Sequence, residues 1–213
     1  MNASFIEKVT LFITRETPSG IELLMFQHPN AGIQLPAGTV EIDEIPEQAA
    51  FREAFEETGL DQWEWVQVLG VEIVPILDGQ LALLKAFTLH NPEGMPHFAQ
   101  LQRGAKVQRL SVHDNLARVR YENERMQDGQ IIYEHIVGEL PAALLVESQR
   151  RTFFHLRTAQ QTPERWDHPA DMGWTFTCFW TPLANHAVLH STQAGWLERW
   201  KRNLNLNAIQ KAK

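Results

Sequence analysis

Apolar and polar residues alternate around Val9, Leu11 and Ile13 through residues 5–15, the period of two that a half-buried strand imposes. Thr17, Pro18, Ser19 and Gly20 break the pattern as a turn, and residues 21–26 return as the partner strand. Residues 28–38 carry Pro29, Gly32, Pro36 and Gly38 and read as a loop. A helix is predicted over residues 46–58. Pro46 fits its first turn, where the missing N–H costs little, and Asp43, Glu44 and Glu47 suit the positive helix end. Gly59 stands where a left-handed C-terminal cap is wanted. On this helix Ala50, Phe51, Ala54 and Phe55 share an arc able to pack on a sheet.

Strands are predicted at residues 66–74 and 81–89, with Asp78-Gly79 between them as a hairpin signal. Residues 91–104 turn loop-like, with Pro92, Gly94, Pro96 and Gly104. Residues 107–137 are β-rich, and Asp128-Gly129 offers a hairpin between 118–121 and 131–136. Residues 141–146 fit a short helix or a strand equally. Aromatic-rich strands are expected at 151–157 and 174–180. A helix is expected at 194–204, with Trp196 and Trp200 one turn apart. The class is α+β, without repeats or low-complexity tracts.

The 213 residues fit one large domain, or one domain carrying an insertion. Nineteen Lys and Arg against 26 Asp and Glu leave a net charge of −7, which disfavours nucleic-acid binding but allows a metal site. At 44% hydrophobic and 21% charged residues the chain is too apolar for disorder. The single Cys178 excludes an internal disulfide, so a reducing cytoplasm is the expected compartment. No run approaches the roughly 18 apolar residues of a membrane span. The opening MNASFIEKVT lacks the basic-then-apolar pattern of a signal peptide.

The specific chemistry lies in GTVEIDEIPEQAAFREAFEETGL, residues 38–60. Glu53, Glu56 and Glu57 fall at i, i+3 and i+4, so their carboxylates share one helix face. Three such charges repel, no lysine stands among them, and Arg52, the one local cation, is expected to point partly away. A hard divalent cation relieves that repulsion, and Mg²⁺ prefers carboxylate oxygens. An isolated E-x-x-E-E is by itself better read as a solvated acidic face; the surrounding spacing decides otherwise. Gly38, five residues, Glu44, seven residues, Arg52-Glu53, then Glu56-Glu57 and Gly59-Leu60 match G-x5-E-x7-R-E-U-x-E-E-x-G-U.

That motif resembles the Nudix hydrolase signature at every fixed polar and glycine position. Ala54 takes the place of a bulky aliphatic, and Leu35-Pro36-Ala37-Gly38 lacks the family's frequent double glycine. The likeness extends over residues 5–89 and, through aromatic strands, 148–202. It implies an α/β/α sandwich around a mixed sheet, with residues 91–149 as a β-rich insertion in a single domain spanning 1–213. It implies a pyrophosphatase of nucleotide-linked substrates, a nucleoside diphosphate joined to another moiety, using magnesium or manganese. Nucleoside triphosphate pyrophosphohydrolysis is the nearest alternative, and a non-catalytic nucleotide-sensing module is less favoured because every box glutamate is present. Carried over by position, Glu53, Glu56, Glu57 and the Gly38 carbonyl are the implied metal ligands. Glu53, Glu57 and Arg52 are the implied catalytic residues, and Glu44 braces the loop. The proton acceptor is a box residue such as Glu53 in some members and a distant acid in others. The expected partner is a small nucleotide, not a membrane, and the family leaves a homodimer open.

Other candidates compete with plainer readings. Glu122, Glu124, Glu134, Glu139 and Glu147 are each better read as surface acids than as a distant base. His168, expected in a loop between two aromatic strands, is a candidate substrate contact, although a structural histidine looks the same. His28 and His155 have weaker claims, and no paired His or Cys spacing suggests zinc. Trp174, Phe176 and Trp180 share strand parity with Cys178, which favours a buried face over a base-stacking platform.

Overall fold

The alternation at the start of the chain folds as two antiparallel strands, β1 (Ile6–Thr17) and β2 (Gly20–His28), joined with Thr17 opposite Gly20. Then come β3 (Gly32–Gln34), β4 (Ala37–Thr39), α1 (Pro46–Thr58), β5 (Trp65–Pro75), β6 (Gln80–Leu83) and β7 (Phe87–His90). The rest are β8 (Phe98–Leu101), β9 (Lys106–His113), β10 (Leu116–Gln127), β11 (Gln130–Pro141), β12 (Leu145–Val146), β13 (Ser148–Arg157), β14 (Arg165–Pro169), β15 (Thr175–Pro182) and α2 (Ser191–Ile209). This computed structural model describes residues 5–77, 79–90, 98–189 and 191–209. The chain divides into two compact units. A sandwich unit comprises residues 9–38, 46–71 and those from 152 onward; a hairpin unit comprises those up to 8, 39–45 and 72–151.

In the sandwich unit the strands run in the order β14-β15-β2-β1-β13-β5, with β3 on β2 and β4 on β1, in a mixed sheet. Period-two alternation gives that sheet two apolar faces. Leu23 and Met25 of β2 join Phe12, Phe153 and Phe179 in a cluster with Leu197, Trp196 and Trp200 of α2. The intervening Leu24 and Phe26 face the other way, where Phe26 stacks on Phe176 with ring centroids 4.3 Å apart. On β15 the residue beside Phe179 is Cys178, whose thiol reaches the Glu57 carbonyl of α1. The two helices therefore cover opposite faces, and the α/β/α sandwich expected from the motif is present.

In the hairpin unit, β10 and β11 pair from Leu116 opposite Pro141 to Gln127 opposite Gln130. Asp128 and Gly129, at φ +50° and +76°, form the two-residue turn, whose twist matches the strands it joins. The sheet order is β11-β10-β9-β6-β12, and β7 pairs separately with β8. One face is buried, with Leu83, Leu89, Leu101, Val119, Ile136 and Leu140 in a mainly aliphatic core.

Several local expectations are corrected. Residues 28–38 are not a plain loop, because β3 and β4 borrow backbone partners from β2 and β1. The run 81–89 breaks after Leu83 into β6 and β7, and the loop-like stretch 91–104 contains β8; residues 91–97 lie outside the described residues. β5 and β6 belong to different sheets, and Asp78 of their supposed hairpin lies outside the described residues. Residues 141–146 combine a single turn, Ala142–Leu144, with the two-residue β12. Among the described residues no helix is long and apolar enough to cross a membrane.

Candidate functional site

Small side chains let α1 lie close against its sheet: Ala49, Ala50, Ala54 and Thr58 are its buried residues. Phe55 is 53% exposed, contrary to the predicted arc, and Phe51 stacks on Trp63 at 6.2 Å. The helix spans the predicted residues. Gly59 closes it at φ +77°, donating its N–H to the Phe55 carbonyl at 2.8 Å.

The carboxylates occupy another side of the helix, where all three residues are partly exposed and the Glu56 side chain is 36% exposed. The Glu53 side chain is only 12% exposed and sits directly on the backbone of Gly38, where an added Cβ would fall 1.8 Å from the Glu53 carboxyl carbon. Any other residue at position 38 expels that carboxylate, so the glycine of the motif is needed for space. Arg52 does not point away. Its Nη1 donates to Glu53 Oε1 at 2.9 Å and to Glu56 Oε2 at 2.8 Å, fixing both on the helix surface. Glu57 Oε2 accepts the Ala37 N–H at 2.8 Å. Burial, and next the Glu53 carboxylate, hold the Glu57 carboxyl well above the usual carboxylate range; the Ala37 hydrogen bond opposes them.

Asp171 adds to the repulsion on Glu57 and was not among the predicted residues. It lies in the turn Asp171–Gly173 between β14 and β15, where Met172 and Gly173 both have positive φ. A lone acid two residues before a glycine gives no signal of this placement. His168 lies on β14, opposite Phe176, not in a loop. Its ring is packed at Gly59, with Nδ1 3.0 Å from where a Cβ there would stand. Trp166, two residues earlier, donates Nε1–H to the Thr58 carbonyl at 2.9 Å. Together these contacts moor the edge strand to the C-terminal turn of α1.

The plainer readings hold for the aromatic residues, since Trp174, Phe176 and Trp180 are all buried. Cys178 donates Sγ–H to the Glu57 carbonyl, and burial, then Glu57 and Asp167, push its thiol up to about 12. His28 Nδ1 accepts the N–H groups of Asn30 and Ala31, both at 3.1 Å, a turn-closing role. His155 is buried against Thr14 Oγ1 at 2.7 Å. In the hairpin unit Glu44 Oε2 accepts the Glu41 N–H at 3.0 Å, bracing its own loop as expected. There Glu122, Glu134 and Glu147 pair with Arg120, Arg125 and Arg109, and Glu124 and Glu139 are exposed.

The donor chemistry suits a hard divalent cation. Glu53 and Glu57 concentrate negative charge in a half-buried place where Arg52 engages Glu53 and Glu56. Carboxylate and carbonyl oxygens are the ligands Mg²⁺ and Mn²⁺ take. Among the described residues no three His, Cys, Asp or Glu side chains are already gathered as a metal-holding group. The fit is therefore one of donor type and charge.

A protein-family model described as NUDIX domain matches residues 6–125, more than half of the chain. The chain belongs to the Nudix family. With its box intact it is a hydrolase of that family. The match reaches past residue 91 into the stretch read as an insertion. No curated protein matches by sequence. Among solved structures the chain is similar to the Caenorhabditis elegans Ap4A hydrolase, with TM-score 0.42 and 16% identity over 95% of this chain and 98% of that one. It is also similar to the Nudix domain of Shewanella oneidensis NrtR, solved with ADP ribose: TM-score 0.49 and 11% identity over 95% and 90%. A Nudix-family hydrolase from Clostridium perfringens gives TM-score 0.38 and 16% identity over 96% and 99%.

Proposed function

We propose that this Nudix hydrolase cleaves a phosphoanhydride in a nucleoside diphosphate linked to another moiety, with Mg²⁺ or Mn²⁺ as its cofactor. The observation that carries the reading is the Glu53 carboxylate seated on Gly38, with the partly buried Glu57 carboxyl repelled by its charge. Glu53, Glu56, Glu57 and the Gly38 carbonyl are the proposed metal ligands. A bound cation supplies charge neutralisation for the pyrophosphate and for the negative charge that develops at phosphorus.

The chain's own residues supply the rest. Arg52 holds Glu53 and Glu56 in fixed rotamers through its two hydrogen bonds. Water attacks phosphorus, the anhydride P–O bond breaks, and the water's proton passes to a carboxylate of Glu53 or Glu57. The products are a nucleoside monophosphate and a phosphorylated remainder. His168, at the Gly59 end of α1, is the proposed substrate contact. We read the chain as one Nudix domain whose residues 91–149 are an added β-rich segment. We place it in the cytoplasm, as the single free Cys178 supports.

The test is phosphate or nucleoside monophosphate release with Mg²⁺ or Mn²⁺ across nucleotide sugars, dinucleoside polyphosphates, dinucleotide cofactors and triphosphates. Turnover is expected on a diphosphate-linked class and falls by at least ~10²-fold in Glu57→Gln. Full activity of Glu57→Gln sinks the assignment. Turnover confined to triphosphates moves the reaction to nucleotide-pool sanitation.

A further inference from the structure

The backbone that leads into Gly38 passes from β2 to β1 within the sandwich sheet. β1 and β2 pair from Thr17 opposite Gly20 to Thr14 opposite Leu23; further along, β3 lies beside β2, with Gln34 opposite Phe26, and β4 lies beside β1. β3 ends at Gln34 and β4 begins at Ala37, so Leu35 and Pro36 stand outside both ladders. Leu35 is fully buried, and its N–H and carbonyl need partners that water does not supply. One side chain serves both. Gln193, in the first turn of α2, accepts the Leu35 N–H on Oε1 at 2.6 Å and donates Nε2–H to the Leu35 carbonyl at 3.3 Å. Pro36 has no N–H to place, and its carbonyl accepts the Leu11 N–H at 2.8 Å. The next donor along the chain is the Ala37 N–H, which goes to Glu57 Oε2 at 2.8 Å.

A carboxamide copies the edge of a strand, because it carries an acceptor and a donor side by side. Gln193 thereby does for Leu35 what a neighbouring strand does for the residues on either side of it. Between Leu35 and Ala37 stand planar peptide groups and one proline, whose ring locks φ, so little rotation is left to uncouple the two. We infer that Gln193 is a positioning residue for the carboxylate site, acting through the Leu35–Ala37 backbone to hold the Ala37 N–H against Glu57. Every residue in this relay belongs to the sandwich unit. The inference rests on the divalent-cation reading above.

The experiment is Mn²⁺ binding by the full chain without nucleotide, read from the EPR signal of free Mn²⁺. Tm and the proton NMR shift of the Ala37 amide in the metal-free protein are recorded beside it. Gln193→Met keeps the length of the side chain and removes both hydrogen bonds. It is expected to weaken Mn²⁺ binding about 10-fold, the usual scale for removing a group that orients a metal ligand. The Ala37 amide proton moves upfield as its bond to Glu57 loosens. Gln193→Ala leaves room for water to serve Leu35 and falls between that variant and the wild type. Leu204→Ala, about three turns further along α2 in the same core, lowers Tm and leaves the affinity and the amide shift unchanged. An affinity loss in Leu204→Ala equal to that in Gln193→Met overturns the positioning role, because the effect is then one of stability. Wild-type affinity in Gln193→Met, with affinity lost in Glu57→Gln, overturns it while the cation reading stands. Wild-type affinity in both Glu53→Gln and Glu57→Gln removes the cation reading, and the inference with it. Should Gln193→Met not fold, Gln193→Ala decides: equal affinity to wild type is the overturning result.

Discussion

The two units solve the burial problem differently. The sandwich unit covers its sheet on both faces, with the fully buried rings of Phe12, Phe26, Phe153 and Phe154 through its middle. Its ions are tied down at the rim. Arg157, with a side chain 8% exposed, pairs with Glu16 at 2.7 Å, and Arg15 pairs with Glu22 at 2.6 Å while lying over Trp180. The hairpin unit buries one face of a smaller sheet, fills it with Leu, Val and Ala, and leaves Ile73, Leu77, Phe98 and Tyr133 exposed. Its ion pairs, such as Arg109 with Glu147, stand in solvent. The candidate carboxylates belong to the unit with the deeper core. Holding like charges together costs free energy, and only a well-packed base keeps them from spreading apart.

The contrast breaks if core truncations in the two units cost the same. Phe153 packs on Trp196 at 5.4 Å and on Trp200 at 5.9 Å, so Phe153→Ala should cost about 3–5 kcal/mol in denaturant unfolding. Val119→Ala removes two methyl groups from the thinner core and should cost about 2 kcal/mol. Equal losses would mean that both cores bear the same load.

Acid should probe the sandwich unit through His155, whose ring is lowered to about 4 by burial and then by Arg157. A histidine with a depressed folded pKa favours the native state above the unfolded value near 6.5, and loses that advantage as pH falls towards 4. The loss should approach about 3 kcal/mol between neutral pH and pH 4. Comparing wild type with His155→Gln by urea unfolding checks it; parallel pH profiles for the two proteins would refute it. The smallest expected effect lies on the hairpin unit's surface. Arg109→Ala, which removes a half-exposed partner 3.4 Å from Glu147, should shift stability by no more than about 0.5 kcal/mol.

Where local physics decides, the sequence was readable. Pro46 and Gly59 bracket α1, and Asp128-Gly129 turns the β10–β11 hairpin, because proline geometry and positive φ are local demands. The carboxylate spacing was equally plain. Tertiary contacts were not. Which residue of α1 is buried depends on how the sheet passes beneath it, so Ala49 went inside and Phe55 outside. β14 contains Asp167 and Pro169, poor strand formers that are tolerated because it is an edge strand. Arg52 turned inward because two carboxylates within hydrogen-bond reach outweigh the helical-wheel angle. The clamp of Gln193 on Leu35 joins residues 158 positions apart, and nothing in either neighbourhood announces it.

Cys178 has a practical corollary. It is the chain's single cysteine, it is fully buried, and its raised proton affinity leaves almost no thiolate at neutral pH. Maleimides and other thiol reagents should therefore pass it by in the native protein. A cysteine introduced on the surface would then be the sole reactive handle, and a fluorophore or spin label could be attached there without first removing the native residue.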